Sequence, residues 1–522
     1  MNENETLTRA AGVISFFTFF SRILGLARDI LIAGFFGSGM FADAFFVAFK
    51  IPNLLRRLFA EGSFSVSFIP VFSEYLRKKS REDACEMARV VLTFLVLILA
   101  IVTITGIIFS PYIVRIIAPG FATAGEKFSL TVLLTRIMFP YVLLISVFAL
   151  FMSILNSLKH FAAPAMGPIF LNVFMIIALL FLAPHMKNPT VGLSIGVLAG
   201  GVVQLFLQVP FLISRGISLA PKWDLKHPAL KKIGLLMVPA MFGSAVYQIN
   251  QLIGTLLASL LEEGSVSYLY YADRLVQFPL GVFAIAISTA ALPAFSRVAA
   301  DGEIEKLKKT LSHALRVTMF ITIPSMIGLI VLREPVIKLL FQRGAFDSNT
   351  TIMTARALLC YSLGLWAFSA LRIIVSAFYS LQDTKTPVKV AIMAMLLNVS
   401  FSVILMRTPL KHAGLAMALS LASIFQLGIL IYLLKKKLGE IYDRETMISI
   451  AKTLISSFLM GICIYFPTKV ILADIYSQSF PRLAAGVFTI IGIGVFIYFL
   501  SSKALGSREL ISFCGAFKLS RK

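Results

Sequence analysis

Cysteine is scarce in this chain: Cys85, Cys360, Cys463 and Cys514 are the four in 522 residues, and none forms a CxxC pair. Neither a disulfide framework nor a zinc site is indicated. The five histidines form no HExxH arrangement and no GxxxxGK(S/T) loop occurs, which argues against a zincin and a self-contained P-loop ATPase. Charge is also thin at 14%, and acid thinner still, with 25 Asp and Glu against 48 Lys and Arg. What fills the chain is hydrocarbon: 58% of residues are hydrophobic and the mean hydropathy is +0.90. A soluble protein of this size could not solvate such a surface, so the composition is that of an integral membrane protein. The apolar runs are long and lack period-2 alternation, which excludes an outer-membrane barrel and leaves a helical bundle. No cleavable signal peptide is expected, because nine mostly polar residues precede a first span that runs straight into Arg22.

At about 20 residues per span, fourteen transmembrane helices are expected, at 11–33, 40–59, 90–113, 132–155, 165–184, 191–213, 233–260, 270–296, 315–332, 353–378, 388–406, 413–434, 449–472 and 483–500. With the N-terminus inside, the inner loops and tail carry 26 Lys and Arg and the outer loops 8. Both termini are therefore expected in the cytoplasm. The same bias explains most of the +23 net charge without nucleic acid as a partner.

A repeat runs through the chain. Pro70-Val71-Phe72-Ser73 recurs as Pro293-Ala294-Phe295-Ser296, and Ala42-Asp43 to Pro52 resembles Ala272-Asp273 to Pro279. The 118–121 segment (APGF) recurs loosely at 343–346 (RGAF), Ser157-Leu158 as Ser380-Leu381 before a proline, and Asn172-Val173 as Asn398-Val399. Five matches in one order at offsets of 223–230 define two copies of six spans, entering the membrane in the same direction. Parallel repeats of this kind are the plan of two-lobed secondary transporters with a central cavity. The expected organisation is an N-terminal six-helix lobe at 1–214, a cytoplasmic linker at 215–232, a C-terminal six-helix lobe at 233–442, and an extra hairpin with a cytoplasmic tail at 443–522.

The stretch 20–61 breaks the apolar pattern. It places Arg22, Arg28, Asp29, Asp43, Lys50, Arg56, Arg57 and Glu61 where hydrocarbon should exclude charge. Each Arg or Asp near a bilayer midplane costs roughly 2.5–3.5 kcal/mol on insertion scales, so such residues face a wet cavity, pair, or do a job. On a straight helix Asp43, Lys50, Arg57 and Glu61 fall within about 40° of one another and form one polar stripe; Pro52 makes the phase beyond it insecure. Arg22 and Asp29 share a face, and Arg28 and Asp29 are candidates for a mutually neutralised pair. In the second copy Asp273 and Arg274 stand where Ala42-Asp43 stands in the first. Arg136 and Arg372 are lone charges, read as helix-end or packing residues.

Guanidinium is always charged and presents a fork suited to phosphate oxygens. Arg22, Arg28, Arg56 and Arg274, facing one cavity, outnumber the nearby acids and make an anion site. A proton-coupled exporter of cations would place unpaired carboxylates there instead. The chemistry points to a large anionic, phosphorylated substrate.

The segments SRILGLARD (21–29), ADAFFVAFKIPNLLRRLFAEGSFS (42–65), YYADRLVQFPLGV (270–282), FYSLQDTKTPVK (378–389) and LKHAGLA (410–416) closely resemble the MurJ (MviN) family of lipid II flippases, within the multidrug/oligosaccharidyl-lipid/polysaccharide exporter superfamily. The resemblance runs essentially end to end, and six plus six plus two spans is also the family's arrangement. It implies translocation of undecaprenyl-pyrophosphate-linked disaccharide-pentapeptide from the cytoplasmic to the periplasmic leaflet of the bacterial inner membrane. It makes Arg22, Arg28, Arg56 and Arg274 the substrate-binding residues, with Asp43 and Glu61 in the matching motifs. Ser21, Asp29, Lys50, Arg57 and Asp273 are supporting candidates. The family favours Arg56 over Arg57 for the cavity, whereas straight-helix phase favours Arg57. Gln277 is a departure, because the family often carries an acid after ADRL. The terminal hairpin is expected to form a groove for the lipid tail.

No enzymatic turnover and no cofactor are expected; a Na+ gradient or the membrane potential is the candidate energy source, with Asp383 as a candidate ion ligand or helix cap. Lipid II and the phospholipid bilayer are the expected partners, with cell-wall synthesis proteins as candidates. The alternatives are a flippase for another polyprenyl-linked oligosaccharide, a cationic drug exporter, and a non-transporting membrane scaffold.

Overall fold

The computed structural model describes residues 3–57, 63–440, 443–472 and 479–510. The described residues form helices and turns without a strand. Internal packing divides the chain into two units, Met1–Val266 and Ser267–Lys522.

The first unit contains α1 (Glu3–Phe36), α2 (Met40–Leu55), α3 (Ser65–Lys78), α4 (Arg81–Ile108), α5 (Ser110–Ile117), α6 (Gly125–Met138), α7 (Tyr141–Ser157), α8 (Ala162–Ile177), α9 (Pro189–Phe206), α10 (Val209–Ile213) and α11 (Pro228–Ser259). Here α1 packs on α8, α8 on α9, α2 on α6, and α3 on α4, α7 and α11. The packing unit therefore runs one long helix past the 215–232 linker. In the second unit follow α12 (Ser265–Pro279, beginning at the unit boundary), α13 (Ile285–Ala300), α14 (Ile304–Val331), α15 (Arg333–Phe341), α16 (Ser348–Leu363), α17 (Leu365–Ser380), α18 (Lys385–Leu405), α19 (His412–Leu438), α20 (Arg444–Ile471) and α21 (Phe480–Ala504).

Among the described residues ten helices are long and apolar enough to span a bilayer, and eleven if α16 and α17, bent by 41°, count as one. The count of fourteen is not reached on that criterion. Over the described residues each expected span nonetheless coincides with helix, the other three being α1, α2 and α11; α2 has 16 residues before its backbone changes.

The repeat is visible in backbone and core. Lys159 and Gln382, 223 positions apart, both adopt left-handed φ, at 60° and 58°, in the turn after α7 and after α17. Phe72 and Phe295 are each fully buried, in the core of their own unit. π-helical residues follow the proline-bearing helix in each copy, Arg56–Arg57 after α2 and Leu280–Ala284 after α12. Such turns add a residue to the helical period and sit disproportionately at functional sites.

Two further devices hold the helices together without polar cost. Buried hydroxyls donate one turn back along their own helices, as Thr131 to the Lys127 carbonyl (2.7 Å) and Thr318 to the Ala314 carbonyl (2.7 Å) do. This suits a solvent that offers no hydrogen bonds. On α9, Gly192, Gly196 and Gly200 recur every four residues and let its backbone lie directly against α8 and the turns that follow it. A Cβ at Gly196 would fall 2.4 Å from the Ala178 Cβ and 3.1 Å from the Phe174 carbonyl oxygen. The terminal hairpin α20–α21 packs on α14 through Phe320, Met460, Ile464, Val487 and Ile490, and the Tyr498 hydroxyl donates to the Phe320 carbonyl at 2.6 Å. Gly196→Leu should separate α8 from α9 and destabilise the protein by about 1–3 kcal/mol, the usual range for overpacking. Thermal unfolding in detergent would show a lowered midpoint, with Gly254→Ala, where a Cβ meets nothing within 4 Å, as the neutral control.

Candidate functional site

The charges of the 20–61 stretch separate into buried, compensated groups and exposed ones. Arg28, on α1, is 5% exposed and Asp29 wholly buried. The Arg28 Nε and Nη2 donate to the Asp29 carboxylate at 3.0 and 2.7 Å, and Nη1 donates to the Asn172 side-chain oxygen at 2.9 Å. The Asn172 amide then donates to the Ser21 carbonyl at 3.0 Å, so one side chain of α8 ties two turns of α1. Gly25 lies between them, where a Cβ would stand 3.6 Å from that amide. Pairing and complete hydrogen bonding are what make a buried guanidinium tolerable.

Asp43, on α2, is also buried. It accepts from the Lys127 ammonium at 2.7 Å and from the Gly264 backbone amide at 2.9 Å, while Lys127 lies 4.3 Å from the centroid of the Phe121 ring. Farther along α2, the half-buried Lys50 donates to the Thr255 hydroxyl of α11. Arg56 is half-buried and donates from Nε to the Asn53 side chain at 3.0 Å; Arg57 is exposed. Regular α-helix ends at Leu55 and π-helical residues begin at Arg56–Arg57, so straight-helix phase cannot be carried from Asp43 beyond Arg57. Glu61 lies outside the described residues.

Arg22 is exposed, with no carboxylate at ion-pair distance among the described residues. It sits six residues before Arg28, about 120° around the helix. Asp29 shares its face but is buried, so cover along that face changes within two turns. In the second unit Arg274 is exposed, its Nη2 donating to the Tyr270 hydroxyl at 3.0 Å with the guanidinium 5.3 Å from that ring's centroid. Asp273 is half-buried and accepts from Gln277 at 3.4 Å, so the residue that departs from the family pattern serves its neighbouring carboxylate. The Arg136 Nε donates to the Ser110 hydroxyl at 3.0 Å, a packing contact.

Asp383 precedes α18 in a loop. It accepts from the Thr386 backbone amide at 3.0 Å and hydroxyl at 2.7 Å, and pairs with Lys437 at the end of α19. Partial burial raises this carboxyl's pKa, but Lys437 and the two Thr386 hydrogen bonds outweigh it and hold it at about 2. This is the geometry of a helix cap with a counter-ion.

Sequence reasoning missed two partners. Lys127 counts among outer-loop charges, yet its ammonium is buried against Asp43. Asn172 enters only as a repeat marker; its recurrence at Asn398, equally buried, is the signal that a polar side chain is needed at that depth.

The sequence profile of the family described as "Lipid II flippase MurJ" matches residues 32–485. The chain is 41% identical over 434 residues to the "Probable lipid II flippase MurJ" of Vibrio cholerae serotype O1, covering 82% of each. It is 39% identical over 437 residues to the "Lipid II flippase MurJ" of Burkholderia cenocepacia, covering 83% of this chain and 84% of the other. Among solved structures it resembles "Lipid II flippase MurJ, inward closed conformation" with a TM-score of 0.79 and 30% identity, over 95% of this chain and 99% of that one. A multidrug resistance MATE family transporter in its inward-facing conformation matches with a TM-score of 0.69 at 15% identity, covering 81% and 95%, a likeness of fold alone.

Asp29→Ala strands a buried guanidinium and should destabilise the protein by about 3–5 kcal/mol, whereas Asp29→Ala combined with Arg28→Met should recover much of that loss in detergent unfolding. Asp383→Ala should lower stability by about 0.5–2 kcal/mol through loss of the cap. Because the folded carboxyl lies at about 2, below its ordinary 3.8, its ionised form is favoured by folding. That contribution is complete above the ordinary value and disappears as pH falls through about 2, so the gap between wild type and Asp383→Ala should narrow only across that acid range.

Proposed function

This chain belongs to the MurJ family of lipid II flippases, and from that premise we propose how its arginines handle the substrate. It is a multi-pass protein of the bacterial inner membrane, a transporter and not an enzyme, that flips lipid II from the cytoplasmic to the periplasmic leaflet. The polyprenyl tail is at home in lipid. The pyrophosphate and the sugar-peptide headgroup are what hydrocarbon rejects, so shielding only that end suffices.

Arg22, Arg28, Arg56 and Arg274 receive the pyrophosphate in this reading. The observation that carries it is the exposed Arg22 guanidinium on α1, deep in an expected span and without a carboxylate at ion-pair distance among the described residues. An uncompensated cation at that depth calls for an anion. Arg28 plays a different part: Asp29 and Asn172 hold it oriented, and the pyrophosphate competes with Asp29 for the same fork. Arg56 donates to Asn53 and Arg274 to Tyr270, contacts that orient their forks, and in this reading both turn toward the substrate. Asp43 supports the site at one remove, by fixing α2 through Lys127.

The headgroup crosses by alternating access, with both termini in the cytoplasm, as the excess of Lys and Arg in the inner loops supports. A Na+ gradient or the membrane potential drives the cycle; moving one charge through 100 mV is worth about 2.3 kcal/mol. Cell-wall synthesis proteins that make or consume lipid II are the candidate protein partners.

In cells depleted of the wild-type protein, Arg22→Ala and Arg274→Ala should each lower outer-leaflet lipid II at least about tenfold, consistent with loss of one charge-assisted pair worth about 1.5–3 kcal/mol. Arg22→Lys should restore only part of it, because the fork is lost while the charge stays. Unchanged lipid II exposure and growth in both alanine variants would overturn the assignment.

A further inference from the structure

The segment 217–227, joining the two six-span repeats, has no helix or strand, yet the chain around it is held at four points by one stripe of α4. The Arg81 Nη2 donates to the Arg215 carbonyl at 2.7 Å, the Cys85 thiol to the Gly216 carbonyl at 3.7 Å, and the Arg89 Nε to the Ala220 carbonyl at 2.8 Å. The Thr93 hydroxyl accepts from the Lys222 backbone amide at 2.9 Å. Residues 81, 85, 89 and 93 are successive one-turn neighbours and so share a helix face. A Lys222–Glu86 ion pair at 2.5 Å adds a side-chain clasp. A connection that merely spanned a gap would need none of this; the segment is a strap laid along α4.

The strap runs from the polar first turns of α4 to the level where its charge-free apolar run starts, at Val90. There it presents Trp223 and Leu225, which are 68% and 65% exposed, beside Val90, Phe94 and Leu230. Lys226 and Lys231 are exposed next to them and make no ion pair among the described residues. Residues 215–232 hold five Lys and Arg against one acid, Asp224, whose carboxylate is engaged by the Lys226 backbone amide at 3.1 Å. The start of the apolar run on α4 sets the depth: Trp223 and Leu225 stand at the boundary of hydrocarbon and water, where an indole is best placed, with ammonium groups at headgroup level.

We propose that this strap is a lipid-binding surface for anionic phospholipid, with Trp223 and Leu225 inserted at the interface and Lys226 and Lys231 on the phosphates. The occupant follows from charge complementarity and depth: an apolar pair bordered by unpaired cations at the edge of a span matches an anionic headgroup over its acyl chains. The strap would thereby pin the connection between the repeats to one leaflet.

Trp223 and Trp366 are the only tryptophans, so Trp366→Phe leaves Trp223 as a single reporter in the full chain. That variant is reconstituted into phosphatidylcholine vesicles containing a minority of phosphatidylglycerol, with one lipid or the other brominated on its acyl chains. Brominated phosphatidylglycerol should quench Trp223 about two- to fivefold more than the same mole fraction of brominated phosphatidylcholine, and the excess should shrink in high salt. Adding Lys226→Gln and Lys231→Gln should abolish the excess while leaving overall quenching in place. Equal quenching by the two lipids would overturn the recognition of anionic headgroups. Red-shifted emission, quenched by aqueous iodide and by neither lipid, would overturn the membrane assignment and mark the strap as a water-facing surface open to a protein partner.

Discussion

Hydrocarbon does not solvate charge, and most features of this fold answer that constraint locally. Arg28 is the clearest case: its guanidinium spends three nitrogens on Asp29 and Asn172, and in doing so joins α1 to α8. The Asn172 amide turns back to the Ser21 carbonyl, so the same side chain that neutralises polarity also fixes helix register. Asp43 repeats the logic on α2, where the Lys127 ammonium and the Gly264 amide close around one carboxylate. Each cluster is costly to break because the group left behind has no water to turn to. They fix the helices that carry Arg22 and lead to Arg56.

Away from these clusters the helices meet without polar groups. The glycines of α9 replace side-chain interdigitation by backbone approach, which works in lipid because association there depends on close packing and not on escape from water. The terminal hairpin combines an apolar face on α14 with polar ties at one end, where Arg316 pairs with Glu445 at 2.8 Å and lies 3.3 Å from Glu509. The π turns after α2 and α12 are departures from this economy. They follow prolines, occur in both copies of the repeat, and lie within or beside the segments bearing Arg56 and Arg274.

Much of this was legible beforehand. Helix class followed from composition, and the parallel repeat from short matches that reappear as the paired left-handed turns at Lys159 and Gln382. The arginines stood out because they interrupt apolar runs. Illegible were the partners. Asn172 lies 144 residues from Arg28, and Lys127 is 84 from Asp43; no local pattern announces a contact at that separation. The stripe from Asp43 could not be carried past Arg57 for a related reason. Helical phase can be extrapolated only while the period holds, and the π turn at Arg56–Arg57 changes it.

The sequence by itself determined that this is a helical membrane protein with an internal repeat, arginines interrupting its apolar runs, and a family whose motifs it carries almost end to end. Those properties are sums and periodicities, readable residue by residue. Tertiary structure alone decided which distant groups meet: Arg28 and Asn172, Asp43 and Lys127, Asp383 and Lys437. It also decided that Arg22 stays exposed and that the linker lies along α4. Whether a charge is compensated depends on which helices are brought within three ångströms of it, and that is a property of packing.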